Sequence, residues 1–271
     1  MKISLNDPIW GRLYGPYGLE PVAEILTSLS DKWDEDIARD LFWEKLHHQE
    51  TLYPATYAAL PWLWDIAKAH KPARMETAGF LSWVIYCALD QVEARSAFGD
   101  AFPVRSNGLE LATKAHAHPW LPKDCLLTDD DVEVLKALEN WFADHLDELA
   151  DFAVETSKES DPQLIGFFLQ GKAAARDAFH LARVVQACGG SGDIFACPHC
   201  GAQCWAVWEG ESPTFRRYDG PMPEPVPVPP IRLDVTQDKA VALELADRMP
   251  SNQSRARAFL LAYAAWESCL P

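Results

Sequence analysis

Residues 41–67 read LFWEKLHHQETLYPATYAALPWLWDIA, and the reading of this stretch decides the architecture. Within residues 36–48, Ile37, Leu41, Phe42 and Leu46 recur at the period of a helix with one apolar face. Pro54 fits the first turn of a second helix, where its missing N–H removes no bond. Pro61 follows seven residues later and is expected to break or kink that helix, with residues 62–70 continuing at a new angle. This punctuation predicts short helices, tightly joined.

Outward from this stretch the helical pattern covers residues 19–188 almost throughout. It includes a very apolar helix over 73–92, an irregular stretch to about 128, a long acidic helix, and another helix over 163–187. The texture changes at Gly189, and residues 193–209 read as two short strands around a turn. Prolines at 213, 221, 223, 225, 227, 229 and 230 predict an extended surface connection. Helical pattern returns over 237–249 and 253–269. The organisation expected is therefore a helical region at 1–188, an inserted ribbon and proline-rich loop at 189–235, and C-terminal helices at 236–271 that complete the same helical domain.

Ala178, Phe179, Leu181 and Ala182 recur as Ala258, Phe259, Leu261 and Ala262, an offset of 80 residues, or two periods of a 40-residue helical hairpin. In residues 41–67, Trp43, Leu46, His48, Gln49, Tyr53, Ala55, Thr56, Ala58, Ala59, Leu60, Pro61, Leu63, Ile66 and Ala67 carry a resemblance to bacterial HEAT-repeat-like proteins. Some of those proteins are associated with toxin–immunity loci. The resemblance covers about a tenth of the chain. It implies a mainly α fold, a short HEAT-like αα-superhelix, together with an immunity or other binding role and no catalytic residue. Eleven tryptophans, including Trp43, Trp62, Trp64, Trp83 and Trp141, suit wide layers between helices.

The chain has 271 residues, 48% hydrophobic and 24% charged, ample for a core. Lys and Arg number 24 against 40 Asp and Glu, a net charge of -16, which argues against a nucleic-acid partner. Asp7 and Pro8 interrupt the N-terminus before any signal-peptide core could form. The longest apolar run, residues 78–89, has 12 residues against the ~20 that span a bilayer, so it reads as a core helix. No membrane association is expected. Seven cysteines, with Cys87 and Cys269 inside apolar patterns, fit reduced thiols in the cytoplasm.

Cys197-Pro-His-Cys200-Gly-Ala-Gln-Cys204 is the sharpest local motif. The C-P-x-C-G turn resembles the knuckle of zinc ribbons, in which two thiolates leave a tight turn in the same direction. Cys197, Cys200 and Cys204 are the candidate ligands of one structural zinc ion, with His199 and Cys188 open as further ligands. A relic knuckle that folds without metal is the alternative. A redox role is disfavoured, because no helix follows to lower a thiol pKa.

Glu44 and His47, and Asp177 and His180, have metal-ligand spacing on expected helices, and an enzyme of the metal-dependent hydrolase kind would use them. With 40 acids and eight histidines such spacings arise by chance, so structural roles are expected for both pairs. Surface or capping roles are expected for His48, His116 and His118. No phosphate loop, dinucleotide turn, nucleophile elbow or HExxH is present.

Residues 129–161 hold 12 acids and two lysines, -10 of the total charge. Val132, Leu135, Leu138, Phe142, Leu146 and Leu149 trace an apolar face, so the acids crowd the opposite one. Such a face is commonly a solvated one, but like charges four apart repel, and a basic partner would relieve them. The expected function is thus a non-enzymatic protein–protein interaction, of the immunity-inhibitor kind. Asp144, Asp147, Glu148, Asp151 and Glu155 would meet a basic protein such as a cognate toxin.

Overall fold

The computed structural model describes residues 1–48, 51–89, 127–189, 194–218 and 233–268. These are mainly helical, with three small antiparallel sheets. The chain forms two compact units, Met1–Gln91 with Val104–Leu149, and Val92–Pro103 with Ala150–Pro271. Expectations for residues 90–126 and 219–232, and for Cys269, fall outside the described residues.

In the first unit a small hairpin, β1 (Tyr14–Gly15) and β2 (Gly18–Leu19), leads into α1 (Val22–Asp31), which buries Val22, Leu26 and Leu29. Asp34 caps α2 (Glu35–Asp40) by accepting the Asp36 and Ile37 N–H groups. The helix expected over 36–48 ends early. Residues Leu41–Lys45 widen into a π turn, closed by Leu46 N–H to the Leu41 carbonyl. His47 and His48 then pair with Leu52 and Thr51, as strands β3 (His47–His48) and β4 (Thr51–Leu52). The buried Thr56 hydroxyl locks this reversal. It donates to the Leu46 carbonyl and accepts the Tyr53 N–H at 2.9 Å.

Helix α3 (Pro54–Ala69) begins at Pro54 as expected and runs unbroken through Pro61. It buries Ala55, Tyr57, Ala58, Leu60, Leu63 and Ile66, so packing on several sides outweighs the one backbone bond that proline forgoes. Helix α4 (Arg74–Leu89) is the expected core helix, with Phe80, Leu81, Val84 and Ile85 fully buried. Phe80 stacks on Phe42 at 4.6 Å. The first part of α5 (Asp129–Ser157) also belongs to this unit. Thr128 and Asp131 cap one another at its start, and Arg12 grips Asp131 through two bonds of 2.7 and 2.8 Å.

In the second unit the helix expected over 163–187 is divided. Asp177 adopts a φ of 56°, which ends α6 (Ile165–Ala175) and starts α7 (Phe179–Val184), and a 3-10 turn at Val185–Gly189 follows. Buried Asp238, near the start of α8 (Thr236–Arg248), accepts the Leu181 N–H at 2.7 Å and so serves the N-terminus of α7. A Cβ on Gly166 would sit 2.5 Å from the Gln186 Cα, so only glycine lets α6 approach that 3-10 turn. Helices α8 and α9 (Ser254–Ala264) pack together. The ribbon has three strands where two were expected: β5 (Ile194–Ala196), β6 (Gln203–Glu209) and β7 (Ser212–Arg217), in that order. Pro213 is accepted because β7 is an edge. Phe215 on β7 seats the ribbon on α9, 5.2 Å from Phe259 and 4.9 Å from Trp266. The 80-residue repeat is not matched in burial, since Leu181 is buried while Leu261 is 41% exposed.

Candidate functional site

Helix α5 carries the five acids expected to bind a partner. Of its expected apolar stripe, Leu135, Leu138, Phe142 and Leu149 are buried, and Val132 and Leu146 are half-buried. Asp144, Asp147 and Glu148 lie in the part belonging to the first unit and are exposed. Among the described residues Asp144 and Glu148 have no cationic partner within ion-pair distance.

Asp151 and Glu155, in the second unit, are placed differently. Arg248 donates to Asp151 at 2.6 Å and to Glu155 at 3.0 Å. The ammonium of buried Lys172 lies 3.2 Å from Asp151, and Lys158 lies 2.6 Å from Glu155. Burial opposes ionisation of Asp151, but hydrogen bonds from Arg248 and Lys172 outweigh it and hold the carboxyl below its ordinary value. Glu155 is held low chiefly by its bond to Lys158. Two of the five acids are thus spent inside the fold. Sequence spacing could not reveal this, because Arg248 lies 97 residues from Asp151.

The cysteine motif forms the turn between β5 and β6. Cys197 N–H bonds the Ala202 carbonyl at 2.7 Å and Gly201 N–H bonds the Cys197 carbonyl at 2.8 Å, while Gly201 takes a φ of 72° that favours glycine. Burial raises the Cys197 thiol above its ordinary value, against the opposing pull of the His199 and Cys200 backbone N–H groups. The Cys204 thiol donates to the Ala202 carbonyl at 3.4 Å, and burial pushes it up to about 12. The structure therefore gathers the three candidate cysteines at the β5–β6 turn. Among the described residues, however, no group of three or more His, Cys, Asp or Glu side chains is spaced to hold a metal ion as it stands. Of the two further ligand candidates, His199 turns its imidazole to Trp266, 3.4 Å from that carbonyl, and Cys188 is buried in the Val185–Gly189 turn.

Both spaced pairs of acid and histidine come apart. Glu44 is exposed while His47 is buried, with the Trp83 indole N–H donating to its Nε2 at 2.7 Å and the Trp43 ring edge-on to it. Asp177 is exposed at the break before α7. Buried His180 donates from Nε2 to the Ala196 carbonyl at 2.8 Å, leaving Nδ1 to accept from the Tyr263 hydroxyl at 2.7 Å. Burial lowers both imidazoles to a pKa of about 4, so both are neutral. His48 bonds the Tyr17 hydroxyl at 3.1 Å, while His116 and His118 lie outside the described residues.

No family model, curated protein or solved structure matches the chain. Among the described residues, no helix is long and apolar enough to cross a membrane.

Proposed function

We propose that this chain is a non-enzymatic, cytoplasmic interaction protein of the immunity-inhibitor kind, a HEAT-like αα scaffold that docks a basic protein, such as a cognate toxin, on α5. The supporting observation is the division of acids along that helix. Asp151 and Glu155 are neutralised by Arg248, Lys172 and Lys158, whereas Asp144 and Glu148 stand exposed with no cation beside them among the described residues. The docking face is therefore narrower than the sequence suggested, and rests on exposed Asp144 and Glu148. Acids four residues apart on one helix repel one another, and an arriving cationic surface relieves that repulsion while speeding its own encounter. The metal-dependent hydrolase is the weaker reading, because it needs His47 and His180 as ligands. Both are committed to internal hydrogen bonds.

Affinity capture from cells that express the tagged chain tests the reading. One variant carries Asp144→Lys and Glu148→Lys. A control of equal charge carries Glu211→Lys and Asp247→Lys, both at exposed positions elsewhere. A basic protein held by wild type and control but lost by the α5 variant supports docking there. Capture of no basic protein, or equal capture by the α5 variant, overturns it.

A further inference from the structure

Residues 248–266 hold three arginines and no acid, in a chain whose net charge is -16. Arg248 is spent on Asp151 and Glu155, and the Arg255 guanidinium lies over the Trp208 ring, 4.3 Å from its centre. Arg257 is exposed, and among the described residues no carboxylate lies within ion-pair distance of it. It sits in the first turn of α9, which carries no acid there, so the helix dipole adds to the unfavourable potential around the cation. The same residue lines a groove of about 420 Å³ between α9 and the connection that precedes it. Ser254, Arg257, Ala258 and Leu261 form one wall at the spacing of a single helix face, and Met249 and Pro250 face them. Leu261 is 41% exposed, while Phe259, Leu260 and Tyr263 on the inner side of α9 are buried. One exposed leucine is ordinary. A leucine in a concave apolar wall, with an unpaired guanidinium one turn away, is an arrangement that binds.

We propose that this groove docks an acidic amphipathic helix of another protein. An apolar side chain of that helix sits against Met249, Pro250 and Leu261, and a carboxylate one turn away pairs with Arg257. Charge selects the occupant, because a lone cation in a molecule rich in acid is matched by an acid from outside. The apolar walls call for an apolar side chain beside that acid, and a helix lying along α9 supplies both at the right spacing. The face from Ser254 to Leu261 is about 10 Å long, close to two helical turns. A second copy of this chain fits less well, since its exposed Asp144 and Glu148 lie on α5, where Leu135, Leu138, Phe142 and Leu149 are buried. The basic partner of α5 does not fit, because it would meet Arg257 with like charge. The groove belongs to the second unit and takes the opposite charge, so it stands independently of docking on α5.

Calorimetric titration of the full chain with two acetylated, amidated helical peptides is the test. Both present leucines along one face, and they differ only in carrying glutamate or glutamine beside that face. The expected result is one glutamate peptide per chain, bound on the order of fivefold more tightly than the glutamine peptide. Arg257→Gln removes that preference, and Leu261→Asp weakens both peptides by about tenfold. Urea unfolding checks that each variant keeps the fold, and should Leu261→Asp unfold, Arg257→Gln decides alone. Absence of saturable binding overturns the proposal, as does equal affinity of the wild type for the two peptides. A preference that survives Arg257→Gln, or binding unchanged in folded Leu261→Asp, overturns it as well. Sedimentation of the chain alone covers the other occupant: a dimer that Leu261→Asp dissociates would assign the groove to a second copy and overturn docking of another protein.

Discussion

His180 and His47 spend their polar atoms inside the fold, and the cost appears in acid. Each has a pKa lowered to about 4 from an ordinary value of 6.5, by burial first and by nearby cationic or imidazole groups second. Between those values the unfolded chain binds more protons than the folded one, so stability is full above pH 6.5 and falls as the pH drops through 4. The loss is on the order of 3 kcal/mol for each histidine. Asp131, held down to about 2 by Arg12, adds a loss only at still lower pH. Urea unfolding between about pH 7 and about pH 4.5 checks this. A wild-type slope shared by His180→Gln would show that His180 is not a source. Thr56 is a second single-residue test. Thr56→Val strands the Tyr53 N–H and the Leu46 carbonyl, and is expected to cost about 1–3 kcal/mol by denaturant unfolding.

At the scale of elements, helices with one clear apolar stripe were legible in the sequence. The stripe of α5 and the burial of residues 78–89 follow from spacing alone. What failed was continuity. The helix over 36–48 stops where Thr56, ten residues on, claims the Leu46 carbonyl, and the helix over 163–187 breaks where Asp177 turns to positive φ. Pro61 erred the other way, because burial keeps α3 intact around it. Each outcome depends on a neighbour that periodicity does not see. Gly166→Ala tests one such neighbour. The methyl meets the Gln186 backbone, and unfolding free energy is expected to drop by about 1–3 kcal/mol. An unchanged value would mean the approach of α6 to the 3-10 turn is slack. The cysteine turn was legible as a motif, but the burial of Cys197 and Cys204 and the cross-strand pairing of Cys204 with Arg217 were not.

For the whole molecule, net charge of -16 says little until its acids are sorted by what they touch. Asp151→Asn with Glu155→Gln breaks the pairs to Arg248 and removes the Asp151 carboxylate from buried Lys172. Unfolding free energy is expected to fall by about 1–2 kcal/mol. A loss below about 0.5 kcal/mol would return those two acids to the docking face. The most direct measurement pairs stability with capture for the variant carrying Lys at positions 144 and 148. Its unfolding free energy should match wild type within about 0.5 kcal/mol, or rise as repulsion is relieved, while capture of the basic partner disappears. A destabilised variant, or one that still holds the partner at wild-type strength, would contradict the division of α5 into structural and docking acids.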